Sequence, residues 1–137
     1  MANLLVMMEF FRGELLPASI EALGQARRLG TAFGMSVYAL VPLPSEPDSG
    51  DEDITARCGR YGADKVVMLT GEGLQSESEM RFAGYSGALL AACAQLPPRL
   101  LFIGDTPAAR DIAPRLASRL GAAFLPRGAA LEVDGAL

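Results

Sequence analysis

Histidine is absent from all 137 residues. With it go the Ser–His and Cys–His nucleophile pairs, imidazole-ligated metals and an imidazole acid or base working near neutral pH. Cysteine is scarce. Cys58 and Cys93 are the only two, too few and too far apart in sequence for a thiolate metal cage. No base stands near either one to activate it, so both read as ordinary half-buried thiols of a reduced, cytoplasmic protein. Positive charge is short too. Twelve Lys and Arg against sixteen Asp and Glu leave a net charge of −4, which speaks against a nucleic-acid partner held through a clustered basic surface. Long apolar runs are missing. Met1 to Met8 is apolar, but it lacks a basic leader and is closed by Glu9 and Arg12 after a strand's length. The stretch from Ala83 to Gly104 is broken by Pro97-Pro98-Arg99, whereas a membrane span needs about 20 uninterrupted apolar residues. There is no GxGxxG, no P-loop and no GxSxG.

What is present is a chain with 50% hydrophobic residues, too apolar for disorder and of a length that suits one domain over residues 1–137. Short apolar runs alternate with helical patterns. Asn3–Glu9, Ser36–Val41, Lys65–Leu69 and Leu100–Gly104 read as strands, with Ala122–Leu125 and Ala129–Val133 as weaker candidates. Asn3–Glu9 does not alternate, which marks a strand buried on both faces. Strands separated by helices of this length imply right-handed βαβ units. The expected fold is α/β, a three-layer parallel sheet with helices on both faces, Rossmann-like and close to the adenine nucleotide alpha hydrolase arrangement.

The first helix opens at Pro17, where a missing N–H costs nothing. Leu16, Ile20, Leu23, Ala26, Leu29 and Phe33 form its stripe, and Gly30 or Gly34 ends it. A third helix over Ser78–Gln95 carries a stripe of small residues, Met80, Gly84, Gly87, Ala91 and Ala94. That stripe reads either as tight packing on the sheet or as a docking face for another subunit. The fourth helix has Thr106 as N-cap, Pro107 at its first position, an unbroken stripe from Ala109 to Leu120, an internal Pro114 that should kink it, and Gly121 as stop. The segment Pro42–Asp53, with three prolines and five carboxylates, reads as an exposed loop before a short helix ending near Tyr61.

Only one segment invites a ligand. In open α/β sheets ligands settle outside the carboxyl ends of the strands, at the topological switch point. Gly104, Asp105, Thr106 and Arg110 follow the fourth strand there, where a helix N-terminus suits phosphate or carboxylate, and Glu9 ends the first strand beside them. The alternative is that Asp105 and Thr106 merely cap the helix while Arg110 pairs with a surface carboxylate. Gly71-Glu72-Gly73 reads as a loop.

Four segments in order resemble the N-terminal domain of the electron transfer flavoprotein α subunit, the FixB-like proteins. They are Leu4–Glu9 with Gly13–Leu23, Ala26-Arg27-Arg28-Leu29-Gly30, Tyr61-Gly62-Ala63-Asp64-Lys65-Val66, and Arg110–Gly121 with its internal proline. The chain departs from the family at Phe10, where His is usual, at Ala109, where Gly is usual, and in the loop after Pro42. The resemblance implies a non-catalytic scaffold domain of an electron carrier fed by flavin dehydrogenases. It would work as a heterodimer with a β subunit of related fold, or as a homodimer when isolated, with no membrane insertion. It implies FAD in the intact complex, held mostly by a second, C-terminal domain that is expected to be absent from these residues, and no AMP on the α domain. No catalytic residue and no metal ligand is carried over. Two other readings stand beside it: a stand-alone adenine-nucleotide module of the universal stress protein type, which would take AMP or ATP, and a small enzyme using Asp105, Arg110 and Glu9.

Overall fold

The computed structural model describes residues 2–11, 14–42, 51–70, 82–126 and 132–134. In chain order the elements are β1 (Asn3–Met7), β2 (Phe10–Phe11), β3 (Glu14–Leu15), α1 (Pro17–Phe33), β4 (Ser36–Pro42), α2 (Asp51–Arg60), β5 (Lys65–Leu69), α3 (Phe82–Gln95), β6 (Pro98–Ile103) and α4 (Pro107–Leu120). Four strands form one parallel sheet in the order β5-β4-β1-β6. The expected doubly wound α/β architecture is therefore present. β1 lies inside, and the order reverses between β1 and β6, so the switch point falls between them.

The apolar run of β1 is explained by what lies on its two sides. Leu4, Val6 and Met8 join Leu23, Ala26 and Leu29 of α1 and Cys58 of α2 in one core. Leu5 and Met7 join Tyr85, Leu89, Ala92 and Cys93 of α3 and Ile112 and Leu116 of α4 in the other. Because side chains alternate along a strand, a strand covered on both faces needs apolar residues at every position. β4 follows the same logic, with Val37, Ala39 and Val41 on the α1 side and Leu40 on the other.

Several boundaries differ from expectation for local reasons. β1 ends at Met7; the Met8 N–H still donates to the Leu40 carbonyl of β4 at 2.9 Å, and Met8 and Glu9 stay buried. A two-residue antiparallel hairpin, β2 with β3, follows at once and turns the chain into α1. β6 starts at Pro98 rather than Leu100; a proline lacking an N–H is tolerated at the first residue of an edge strand. Gly34, in the left-handed conformation at φ 67°, stops α1, while Gly30 is buried inside it. Residues 51–53, expected in the loop, already belong to α2. Ala122–Leu125 is not a strand; it leaves α4 exposed, with Leu125 at 73% accessibility. Of the Ala129–Val133 candidate only the end is described, and Val133 packs on the α1-side core without strand pairing. The loop at 43–50, Gly71–Gly73 and residues 78–81 lie outside the described residues. Among the described residues no helix is long and apolar enough to cross a membrane.

The small-residue stripe of α3 does not pack on the sheet. Tyr85, Leu89, Ala92 and Cys93 form the buried face. Gly87, Ala91 and Ala94 are exposed and Gly84 is half-buried, while Met80 lies outside the described residues. The large apolar side chains won the inner face, because they remove more surface from water than the small ones.

The turn into β5 is held by a clasp. Gly62, at φ 122°, sits so close to α1 that a Cβ there would meet Arg27 Cβ at 2.7 Å. The Arg27 guanidinium donates to the Gly62 carbonyl (3.3 Å) and to Asp64 Oδ1 (2.9 Å). Asp64 Oδ2 accepts from the Val37 N–H at 2.8 Å, and the Asp64 N–H donates back to the Val37 carbonyl at 2.8 Å. These bonds fix β5 beside the start of β4. They also hold the Asp64 carboxyl below its ordinary pKa, the Val37 N–H first and Arg27 after it. Asp64 therefore contributes stability that is complete above the ordinary aspartate range and is lost as pH falls through its lowered folded value. Replacing Asp64 with Ala is expected to cost about 1 kcal/mol at neutral pH, set by the backbone hydrogen bond rather than by the half-exposed ion pair. Urea unfolding followed from pH 7 to 3 should show that difference shrinking at the acid end.

Candidate functional site

The carboxyl ends of β1 and β6 meet the first turns of α1 and α4 at the switch point. Glu9 lies just past β1 and is 5% exposed. Burying a carboxyl group requires a donor, since its unmet desolvation would cost several kcal/mol. The donor is Thr106, whose hydroxyl lies 2.6 Å from Glu9 Oε1. The same hydroxyl oxygen accepts from the Ala109 N–H at 3.1 Å, so Thr106 is at once the N-cap of α4 and the partner of Glu9. The Glu9 backbone is engaged as well. Its N–H donates to Ser19 Oγ at 2.9 Å, and its carbonyl accepts from the Leu16 N–H at 3.0 Å. β1, α1 and α4 are thus joined through one residue.

Gly104 completes the joint from the side of β6. A Cβ there would lie 2.7 Å from the carbonyl carbon and oxygen of Ala18 and 2.9 Å from its Cβ. The first turn of α1 rests directly on the end of β6, and only glycine admits that approach.

Of the residues singled out by sequence, Glu9, Gly104 and Thr106 are brought together in a buried cluster. Asp105 and Arg110 are not part of it. They point outward, Arg110 Nε 3.2 Å from Asp105 Oδ1, with both side chains more than half exposed. A pair so exposed is worth at most about 1 kcal/mol. Ser19 and Ala18 were missed. The available signal was their place two and one residues after Pro17, where the small residues of a helix's first turn face the strand end that precedes it.

Burial raises the Glu9 pKa above its ordinary value, and the Thr106 hydrogen bond pulls against that shift. Chemically the cluster holds a carboxyl away from water with its near neighbours neutral. It presents no nucleophile, and among the described residues no group of three or more Cys, Asp or Glu is placed to hold a metal ion. At the head of α4 the Thr106 hydroxyl is engaged by Glu9 and by the Ala109 N–H, and the Ala18 backbone lies against Gly104.

Two substitutions report on this joint. Gly104→Ala is expected to lose about 1–3 kcal/mol through overpacking against backbone that cannot yield, read as a lower urea midpoint. Thr106→Ala removes the cap, at a cost of about 1 kcal/mol, and also the donor that restrains the Glu9 pKa. A raised carboxyl pKa contributes stability below the unfolded value that is lost as pH rises through the folded one. Thermal melts against pH should therefore show the Glu9-dependent loss moving to higher pH in the Thr106 variant.

Comparison with known proteins adds a family match and a fold match. A family model described as the electron transfer flavoprotein domain matches residues 4–137. The electron transfer flavoprotein subunit alpha of Clostridium acetobutylicum is 30% identical over 122 residues, covering 89% of this chain and 34% of that protein. Protein FixB of Azotobacter vinelandii is 30% identical over 129 residues, covering 94% of this chain and 34% of that protein. The chain spans about a third of the length of these curated relatives. The solved universal stress protein from Archaeoglobus fulgidus in complex with dAMP superposes with a TM-score of 0.52 over 84% of this chain and 91% of that one, at 17% identity, a likeness of fold alone.

Proposed function

The chain belongs to the electron transfer flavoprotein domain family, and from that premise we propose that it is the scaffold domain of an α-type electron-transfer subunit. In this reading it performs no bond-breaking of its own and packs against a β-type chain of related fold. FAD is gripped by the part of the subunit that corresponds to the two-thirds of the relatives this chain does not span. A cytoplasmic setting accords with two buried free thiols.

The observation that carries the reading is the extent of the family match, residues 4–137, laid over a switch point whose polar atoms are spent inside the protein. A free cofactor needs a concave site with unspent polar groups; a scaffold does not. The universal-stress-protein type of reading, with AMP or ATP at the head of α4, is disfavoured on the same ground. So is a small enzyme built on Glu9, Asp105 and Arg110, because two of those three point outward and pair with each other.

The face offered to the β-type chain in this proposal is α3. Its fourteen residues contain no Asp, Glu, Lys or Arg. Its outward side is Gly87, Ala91 and Ala94, small enough for a partner backbone to come close and uncharged, so little desolvation opposes contact.

Co-expression with a β-type electron transfer flavoprotein chain is expected to yield a stable heterodimer. Ala91→Glu should release the partner while changing the chain's own stability by less than about 0.5 kcal/mol, as an exposed helix position. The purified chain should show no flavin absorbance and leave FAD fluorescence unquenched. A chain that remains alone when a β-type chain is supplied, or that binds FAD by itself, overturns the proposal.

A further inference from the structure

We infer that Glu9 is the residue that closes the switch-point crevice to anionic ligands, acting by volume and by occupying the Thr106 hydroxyl at the head of α4. This goes beyond the scaffold reading. It rests on three local observations, none of which depends on a partner chain.

The first is position. The sheet order puts the ends of β1 and β6 on either side of the reversal, where this architecture takes its ligands. The second is what the Thr106 hydroxyl does. A free hydroxyl at the N-cap of α4 would be a donor for an incoming phosphate oxygen. Here its proton is directed at Glu9 Oε1, 2.6 Å away, and its lone pair takes the Ala109 N–H. The third is rigidity. The Glu9 main chain is bonded on both sides to α1, through Ser19 Oγ and the Leu16 N–H, and both Glu9 and Ser19 are buried. The side chain springs from an anchored main chain and is held near its tip by the Thr106 hydroxyl. An approaching phosphate meets an occupied donor and a buried side chain in its way. Among the charged groups nearby, Arg110 does not offset this, since it faces outward onto Asp105.

The test uses the full chain, with AMP and inorganic phosphate as probes, and follows the backbone amides of Thr106, Ala109 and Arg110 by NMR. Wild type and Glu9→Gln, which keeps the volume and an acceptor for Thr106, are expected to show no saturable shift up to millimolar probe. Glu9→Ala is expected to bind phosphate at least roughly tenfold more tightly than wild type, with shifts centred on those three amides. Glu9→Ser serves the same purpose if the alanine variant does not fold. On wild type alone, the Glu9 carboxyl carbon should titrate above the ordinary glutamate range, with the Thr106 resonances moving in step. Saturable phosphate or AMP binding by wild type at these amides overturns the inference. So does a folded Ala or Ser variant that gains nothing, or a Glu9 that titrates like a surface carboxylate. None of these outcomes bears on whether the chain pairs with a β-type partner, so the two proposals fail separately.

Discussion

A carboxyl group withdrawn from water must find a donor, and here it finds one on another element. The hydrogen bond from Thr106 to Glu9 spans ninety-seven positions of sequence. It can form only when β1, β6 and α4 are all in place. Thr106 can cap α4 without Glu9, whereas a buried Glu9 without Thr106 loses its side-chain donor and is pushed further toward its protonated form. The joint also sets where α1 begins, because the Glu9 carbonyl and N–H hold the residues around Pro17. Glu9 thereby links the entry of two helices on opposite faces of the sheet to the end of its most buried strand.

The layered architecture was legible because each signal was local. The unbroken apolar run of β1, the Pro17 and Pro107 helix starts and the Gly34 and Gly121 stops all act within a few residues. The pairing of β5 was legible in position but not in mechanism, since the Asp64–Val37–Arg27 clasp is assembled from three separate segments. The face of α3 was misjudged between two readings because almost every residue of that helix is apolar or small. Periodicity cannot orient a helix with no polar side, and the choice fell to side-chain volume. Ala122–Leu125 has a strand's composition, but a strand needs a neighbour to bond, and the described structure supplies none.

At the candidate site the sequence pointed to the ends of the first and last sheet strands and could not tell which of its residues meet there. Glu9, Gly104 and Thr106 are residue types that serve ligand binding and internal closure equally well. What decides is spacing in three dimensions: a hydroxyl 2.6 Å from a carboxylate and a glycine against the Ala18 backbone. At the ends of β1 and β6 the polar atoms of Glu9, Thr106 and Ser19 are bonded to one another and to backbone N–H groups.

The division of the interior into two cores has a consequence for how this sequence can drift. Among the described residues, the apolar packing of α1 and α2 and that of α3 and α4 form two clusters separated by the sheet and joined at its end by Glu9. Either pair of helices can be remodelled while the other keeps its packing. The inner strands β1 and β4 do not share that freedom, because a backbone displacement made to suit one layer is felt at once by the other. Change should therefore accumulate fastest in the outer helices and slowest along two short strands that answer to both sides.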